Sequence, residues 1–87
     1  MKFEFDPAKS AGNKAKHGID FVEAQALWLD EGLVDAPIAS EDEPRFLVIV
    51  RLDGKYWTAI CTLRKEAVRI ISVRRARKVE IGYYDGS

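Results

Sequence analysis

Seven of the chain's fourteen Lys and Arg residues fall within the fifteen residues from Arg64 to Lys78, ending on Arg74-Arg75-Ala76-Arg77-Lys78. Guanidinium groups at the end of a rigid strand can engage phosphate bidentately, and a fixed cation beside a scissile phosphate is what a metal-independent ribonuclease requires. In such chemistry a base takes the proton of the RNA 2′-hydroxyl, a cation stabilises the charge growing on the phosphorus oxygens, and an acid protonates the leaving 5′-oxygen. His17, Arg74 and Lys16 could fill these roles. His17 is the single histidine of the chain, with an unperturbed titration near neutrality, and Lys16 offers a point charge. Each has a plainer reading. His17 could be a helix-end residue favoured by the helix dipole or packed on a sheet, and Arg74 a solvated strand end or the partner of an acid.

The rest of the basic run reads as grips on a nucleic-acid backbone: Arg75, Arg77 and Lys78, with Ser72 as a hydroxyl donor beside Arg74. Strict alternation would put Val68, Ile70, Ser72 and Arg74 on one strand face, carrying Arg74 from the core to a rim. Glu80 and Tyr84 stand one helical turn apart. Glu80 reads better as an acid that orients an arginine than as a general base. Tyr84 either stacks on an RNA base or packs in the core.

These residues need elements to hold them. Lys2 to Asp6 alternates as a first strand with Phe3 and Phe5 inward. Asp6-Pro7 opens a polar helix that Gly18 stops after His17, since Asp is a good N-cap, Pro fits the first helical position, and Gly accepts the left-handed conformation. Asp20 with Glu23 forms a capping box for a second helix from Phe21 to about Leu29, with Phe21, Ala24, Leu27 and Trp28 buried and Ile19 as the staple. Leu33 to Ile38, containing Pro37, suits a short edge strand, and Ser40 to Pro44 an acidic loop. Arg45 to Leu52 reads as a strand that Asp53-Gly54 turns back into Tyr56 to Leu63, with Trp57, Ala59, Cys61 and Leu63 on one face. Val68 to Val73 is the last strand and Arg75 to about Tyr84 the last helix, weakened by Gly82.

Eighty-seven residues, 47% hydrophobic and 32% charged, make one soluble domain spanning 1–87. Net charge is zero but polarised, with eight acids and no Lys or Arg from Gly18 to Pro44. One face can therefore hold RNA while another repels it. With one Cys and one His, neither an internal disulfide nor a Cys/His zinc site is expected, and no cofactor. No membrane span or secretory leader is expected either, which makes the cytoplasm the default location.

Two stretches carry a resemblance. Phe5-Asp6, Lys9, Asn13, Lys16-His17-Gly18, Phe21, Glu23 and Ala24 match F-D-x-x-K-x-x-x-N-x-x-K-H-G-V-x-F-x-E-A. Arg69-Ile70-Ile71-Ser72-Val73-Arg74-Arg75-Ala76, with Glu80 and Tyr84, matches R-I-I-S-A-R-x-A followed by E-R-x-x-Y. In this order and separation the chain resembles the BrnT family of type II toxins. The resemblance implies an α+β, RelE-like fold: a strand and two helices, an antiparallel sheet of three to four strands, and a C-terminal helix. It implies an endoribonuclease that cleaves mRNA and arrests translation, neutralised by a BrnA-like ribbon-helix-helix antitoxin through which alone operator DNA is reached. Ile81 stands where the family usually has Arg, removing one phosphate contact, and Val50-Arg51 replaces a common Ile-Gly. A catalytically weakened homologue that serves as antitoxin partner, or a non-catalytic RNA-binding module, are the alternatives.

Overall fold

A computed structural model describes residues 1–40 and 42–86. It is an α+β fold with one five-stranded sheet in the order β1-β5-β4-β3-β2: β1 (Lys2–Glu4), β2 (Val34–Ile38), β3 (Arg45–Leu52), β4 (Lys55–Arg64) and β5 (Ala67–Arg75). β2, β3, β4 and β5 pair antiparallel in chain order. The expected sheet of three to four antiparallel strands is thus corrected. β1 joins the far edge parallel to β5, from Lys2↔Ala67 to Glu4↔Arg69. A parallel partner is reached only by a long crossover, here everything between β1 and β5, and no local sequence pattern announces it. Of the expected acidic loop, Glu41 lies outside the described residues.

Helix α1 (Pro7–His17) begins and ends where its residue types dictate. Asp6 accepts the Ala8 N–H at 2.8 Å, Pro7 occupies the first turn, and Gly18 closes the helix at φ 81°. Its buried side chains are polar, Ser10 and Asn13. Asn13 Nδ2 donates to the carbonyls of Ile19 and Val73 at 2.8 and 2.9 Å, and its Oδ1 accepts the Val73 N–H at 3.2 Å. Beyond the end of β1, one side chain thus engages both backbone groups of Val73, and Ser10 Oγ accepts the Phe21 N–H at 2.9 Å. Hydrogen bonding to otherwise orphaned buried backbone, rather than an apolar stripe, docks α1.

The second helix is shorter and tighter than expected, a 3₁₀ helix over Glu23–Leu29. Its reciprocal cap is present: Asp20 Oδ1 accepts from Val22 and Glu23 N–H at 2.9 and 2.7 Å, and Glu23 Oε1 accepts the Asp20 N–H at 3.0 Å. Phe21, Ala24 and Leu27, all buried, recur every third residue, the period of a 3₁₀ rather than an α-helix. Ile19 and these three join Val48, Val50, Ala59, Cys61, Ile70 and Val73 in the core, with Trp28 and Trp57 packed against it. Leu63, expected on the same strand face as Cys61, is exposed near the end of β4.

Asp53 and Gly54 turn β3 into β4 with φ of 52° and 78°, both positive as a two-residue turn between twisted strands requires. β5 carries the irregularity that matters most. Its pairing with β4 runs Cys61↔Ile70 and then Ile60↔Ser72, so Ile71 is an extra residue in a bulge. Parity changes there. Val68, Ile70 and Val73 all reach the core, while Ser72 and Arg74 face the other side of the sheet. The expected single face of Val68, Ile70, Ser72 and Arg74 is therefore split, and the bulge re-aims Arg74. Helix α2 (Lys78–Asp85) packs on that second side; it starts later than Arg75 because Arg75 still pairs with Trp57 in β5. None of the described helices is long and apolar enough to cross a membrane.

Candidate active site

On the non-core side of the sheet Ile49, Thr58 and Arg74 lie in one row across β3, β4 and β5. Glu80 of α2 reaches down into that row. Arg74 Nη1 and Nη2 donate to Glu80 Oε1 and Oε2 at 2.7 and 2.8 Å, a bidentate pair, and Thr58 Oγ1 donates to Oε1 at 3.0 Å. The Arg77 backbone N–H adds a bond of 2.7 Å to the same oxygen, which also caps the start of α2. Glu80 is 7% exposed and the Arg74 side chain 23%. The Arg74 guanidinium is the main force holding the Glu80 carboxyl down, to a pKa of about 2, against the opposing push of its own burial; Arg77 and Thr58 assist. At neutral pH Glu80 is therefore a fixed anion. A carboxylate so acidic is a poor proton acceptor, and its geometry is that of an orienting group.

The pair leaves Arg74 with something to offer. Of its five N–H donors, two go to Glu80 and one, on Nη1, to the Arg75 carbonyl at 3.3 Å. The Nε–H and the outer Nη2–H remain, and they lie along one edge of the planar group. Among the described residues Arg45 Nε is the one buried side-chain nitrogen or oxygen without a partner, so the unbonded Nε of Arg74 meets solvent. With 23% of its side chain exposed, the clamped guanidinium keeps two parallel N–H donors without a protein partner, a geometry that matches two phosphate oxygens.

The other expected site residues are placed unevenly around this pair. Ser72 shares the face of Arg74, one row along. Arg77 and Lys78 are exposed at the start of α2. Arg75 turns to the core side, where its guanidinium lies 5.4 Å from the Trp57 ring centre and its Nε donates to the Tyr56 carbonyl at 3.2 Å. His17 is half-buried and Lys16 exposed at the end of α1, and neither bonds to Arg74 or Glu80. His17 continues the α1 face of Ser10 and Asn13, one turn past the side chain that grips Val73, the neighbour of Arg74. Tyr84 acts as an anchor: its hydroxyl donates to Asp30 at 2.8 Å and its ring meets Tyr56 edge-on at 5.5 Å. Asp30 also accepts from the Gly32 and Arg51 N–H groups, so α2 is tied to the loop before β2 and to β3.

Sequence reasoning missed Thr58 and gave Asn13 no role beyond a motif position. A threonine among the apolar residues of β4 was the available sign for the first, and Thr62, equally buried, shares it. Among the described residues no group of three or more His, Cys, Asp or Glu could hold a metal. Burial pushes the Cys61 thiol up to about 11, which leaves it protonated and inert at neutral pH.

A family model described as the ribonuclease toxin, BrnT, of type II toxin–antitoxin systems matches residues 5–80. The chain belongs to the BrnT family. The matched span runs from Phe5 to Glu80 and so contains His17, Arg74 and the bulge between them, but not Tyr84. No curated protein matches the sequence with significance. As a BrnT member the chain is a ribonuclease toxin of a type II system, and such a system implies an antitoxin partner.

Proposed function

We propose that this BrnT chain is a RelE-like, metal-independent endoribonuclease that cleaves mRNA, arrests translation in the cytoplasm, and is silenced by a BrnA-like ribbon-helix-helix antitoxin that alone contacts operator DNA. The observation that carries the reading is the pair of unpartnered donors on one edge of Arg74, whose guanidinium Glu80 holds in place. In this account the edge binds two non-bridging oxygens of the scissile phosphate. The RNA 2′-oxygen attacks phosphorus, the bond to the 5′-oxygen breaks, and the electron pair leaves on that oxygen. His17 and Lys16 serve the proton leaving the 2′-hydroxyl and the proton gained by the 5′-oxygen. The products are a 2′,3′-cyclic phosphate and a free 5′-hydroxyl. Charge growing on the phosphate meets a guanidinium already oriented, so little reorganisation is needed at the transition state. Ser72, Arg75, Arg77 and Lys78 would grip the flanking backbone.

The antitoxin would cover the same cations. An acidic or amphipathic segment laid over Arg74 and Arg77 silences the enzyme most directly, because opposite potentials meet there. Ile81 in place of the family's Arg favours a second reading, a weakened toxin retained as an antitoxin-binding partner. Induced expression without antitoxin, following growth and total RNA together, decides between them. Growth is expected to stop as mRNA is cut. Unimpeded growth with intact RNA in cells that contain the folded protein would overturn the ribonuclease reading.

A further inference from the structure

The C-terminal helix ends in two adjacent tyrosines with opposite environments. Tyr84 is bonded to Asp30 and meets Tyr56 edge-on, whereas Tyr83 is 67% exposed. Tyr83 and Val79, one helical turn apart, form one wall of a groove of about 620 Å³ between α2 and the outer strands. Its floor is apolar, from Ala36 of β2 and Leu47 and Ile49 of β3. Its charged lining is Asp35 at the β2 edge and Glu80, the residue that clamps Arg74. The groove and the phosphate-binding edge thus share a side chain, and the exposed Arg77 and Lys78 stand at the start of the same helix.

We infer that the groove receives an unpaired base of the RNA strand whose phosphate Arg74 holds, with Tyr83 as the stacking platform. The inference rests on the ribonuclease reading and deepens it. A base presents a flat, neutral, largely apolar face that suits this floor, while the strand's negative charge stays with the cations beside the groove. Aromatic platforms next to basic tracks are how single strands are held without base pairing. An exposed tyrosine on a helix is otherwise unremarkable; here its lining of an apolar groove wall that joins the Arg74–Glu80 pair distinguishes it.

Binding of a short, non-cleavable 2′-O-methyl RNA, followed by fluorescence anisotropy across a salt series, tests this. Tyr83→Ala is expected to weaken binding about 5- to 100-fold, the loss of one base–aromatic stack. Tyr83→Phe is expected to bind as the parent does. The slope of log affinity against log salt should stay unchanged in Tyr83→Ala and become shallower in Arg77→Glu, because only the second removes a phosphate contact. An RNA with an abasic nucleotide at the stacked position should bind parent and Tyr83→Ala alike. Parental affinity in Tyr83→Ala, with a parent that does bind RNA, would overturn the inference and free the groove for a protein partner. A parent that binds no RNA would remove the ribonuclease reading, and this inference with it.

Discussion

Arg74→Ala is expected to slow RNA cleavage about 100- to 1,000-fold, the range seen when one preoriented donor to a developing oxyanion is removed. The substitution also acts on the fold. It leaves Glu80 buried with only Thr58 and the Arg77 N–H as partners. Removing one partner of a buried ion pair costs about 3–5 kcal/mol, a large share of the stability of so small a domain. Loss of activity in the Ala variant therefore needs a companion. Arg74→Lys keeps a cation beside Glu80 but cannot present two parallel donors, so it should recover stability and not cleavage. Denaturant midpoints and single-turnover cleavage, measured on both variants, separate the two effects. A Lys variant that cleaves at the parental rate would show that bidentate binding by Arg74 is not what the reaction uses.

Acid should unfold the protein through the same pair. A group whose folded pKa lies below its unfolded value contributes stability above the unfolded pKa and loses it as pH falls toward the folded one. Glu80 is held at about 2 against an ordinary 4.5. Its contribution, about 3 kcal/mol at neutral pH, should be complete above pH ~5 and fade between there and pH ~2. Other acids titrate low as well: Glu23, bonded to Lys14, and Asp30, where the N–H groups of Arg51 and Gly32 outweigh its burial. The Glu80→Gln variant isolates the one from the others. Urea midpoints at pH 7, 5 and 3 should fall more steeply in the parent than in Glu80→Gln, and parallel declines would remove Glu80 as the acid-sensitive group.

Much of the fold could be read locally. Asp6-Pro7 and Gly18 bracket α1, Asp53-Gly54 makes the hairpin, and Pro37 lies on an edge strand, because caps, turns and edges are decided by a few neighbouring residues. The parallel place of β1 was not legible, since it depends on which edge remains open once the antiparallel strands have paired. Nor was the 3₁₀ helix recognised, although the three-residue spacing of Phe21, Ala24 and Leu27 was present. The bulge at Ile71 had the largest consequence. Alternation correctly assigns Val68 and Ile70 to one face, yet one inserted residue reverses every side chain after it, and nothing in Arg69-Ile70-Ile71-Ser72 marks which isoleucine is extra. The Arg74–Glu80 contact was partly legible: an orienting acid was expected of Glu80, but its meeting with Thr58 required the cross-strand register.

The central claim is that a clamped arginine serves an RNA's own 2′-hydroxyl. Purified protein, incubated with a defined single-stranded RNA in excess chelator, tests it most directly through the chemistry of the new chain ends. The account predicts cleavage at an undiminished rate, with 2′,3′-cyclic or 3′-phosphate on one fragment and a 5′-hydroxyl on the other, and with Arg74→Lys inactive under the same conditions. Cleavage abolished by the chelator and restored by magnesium, leaving 5′-phosphate ends, would contradict it.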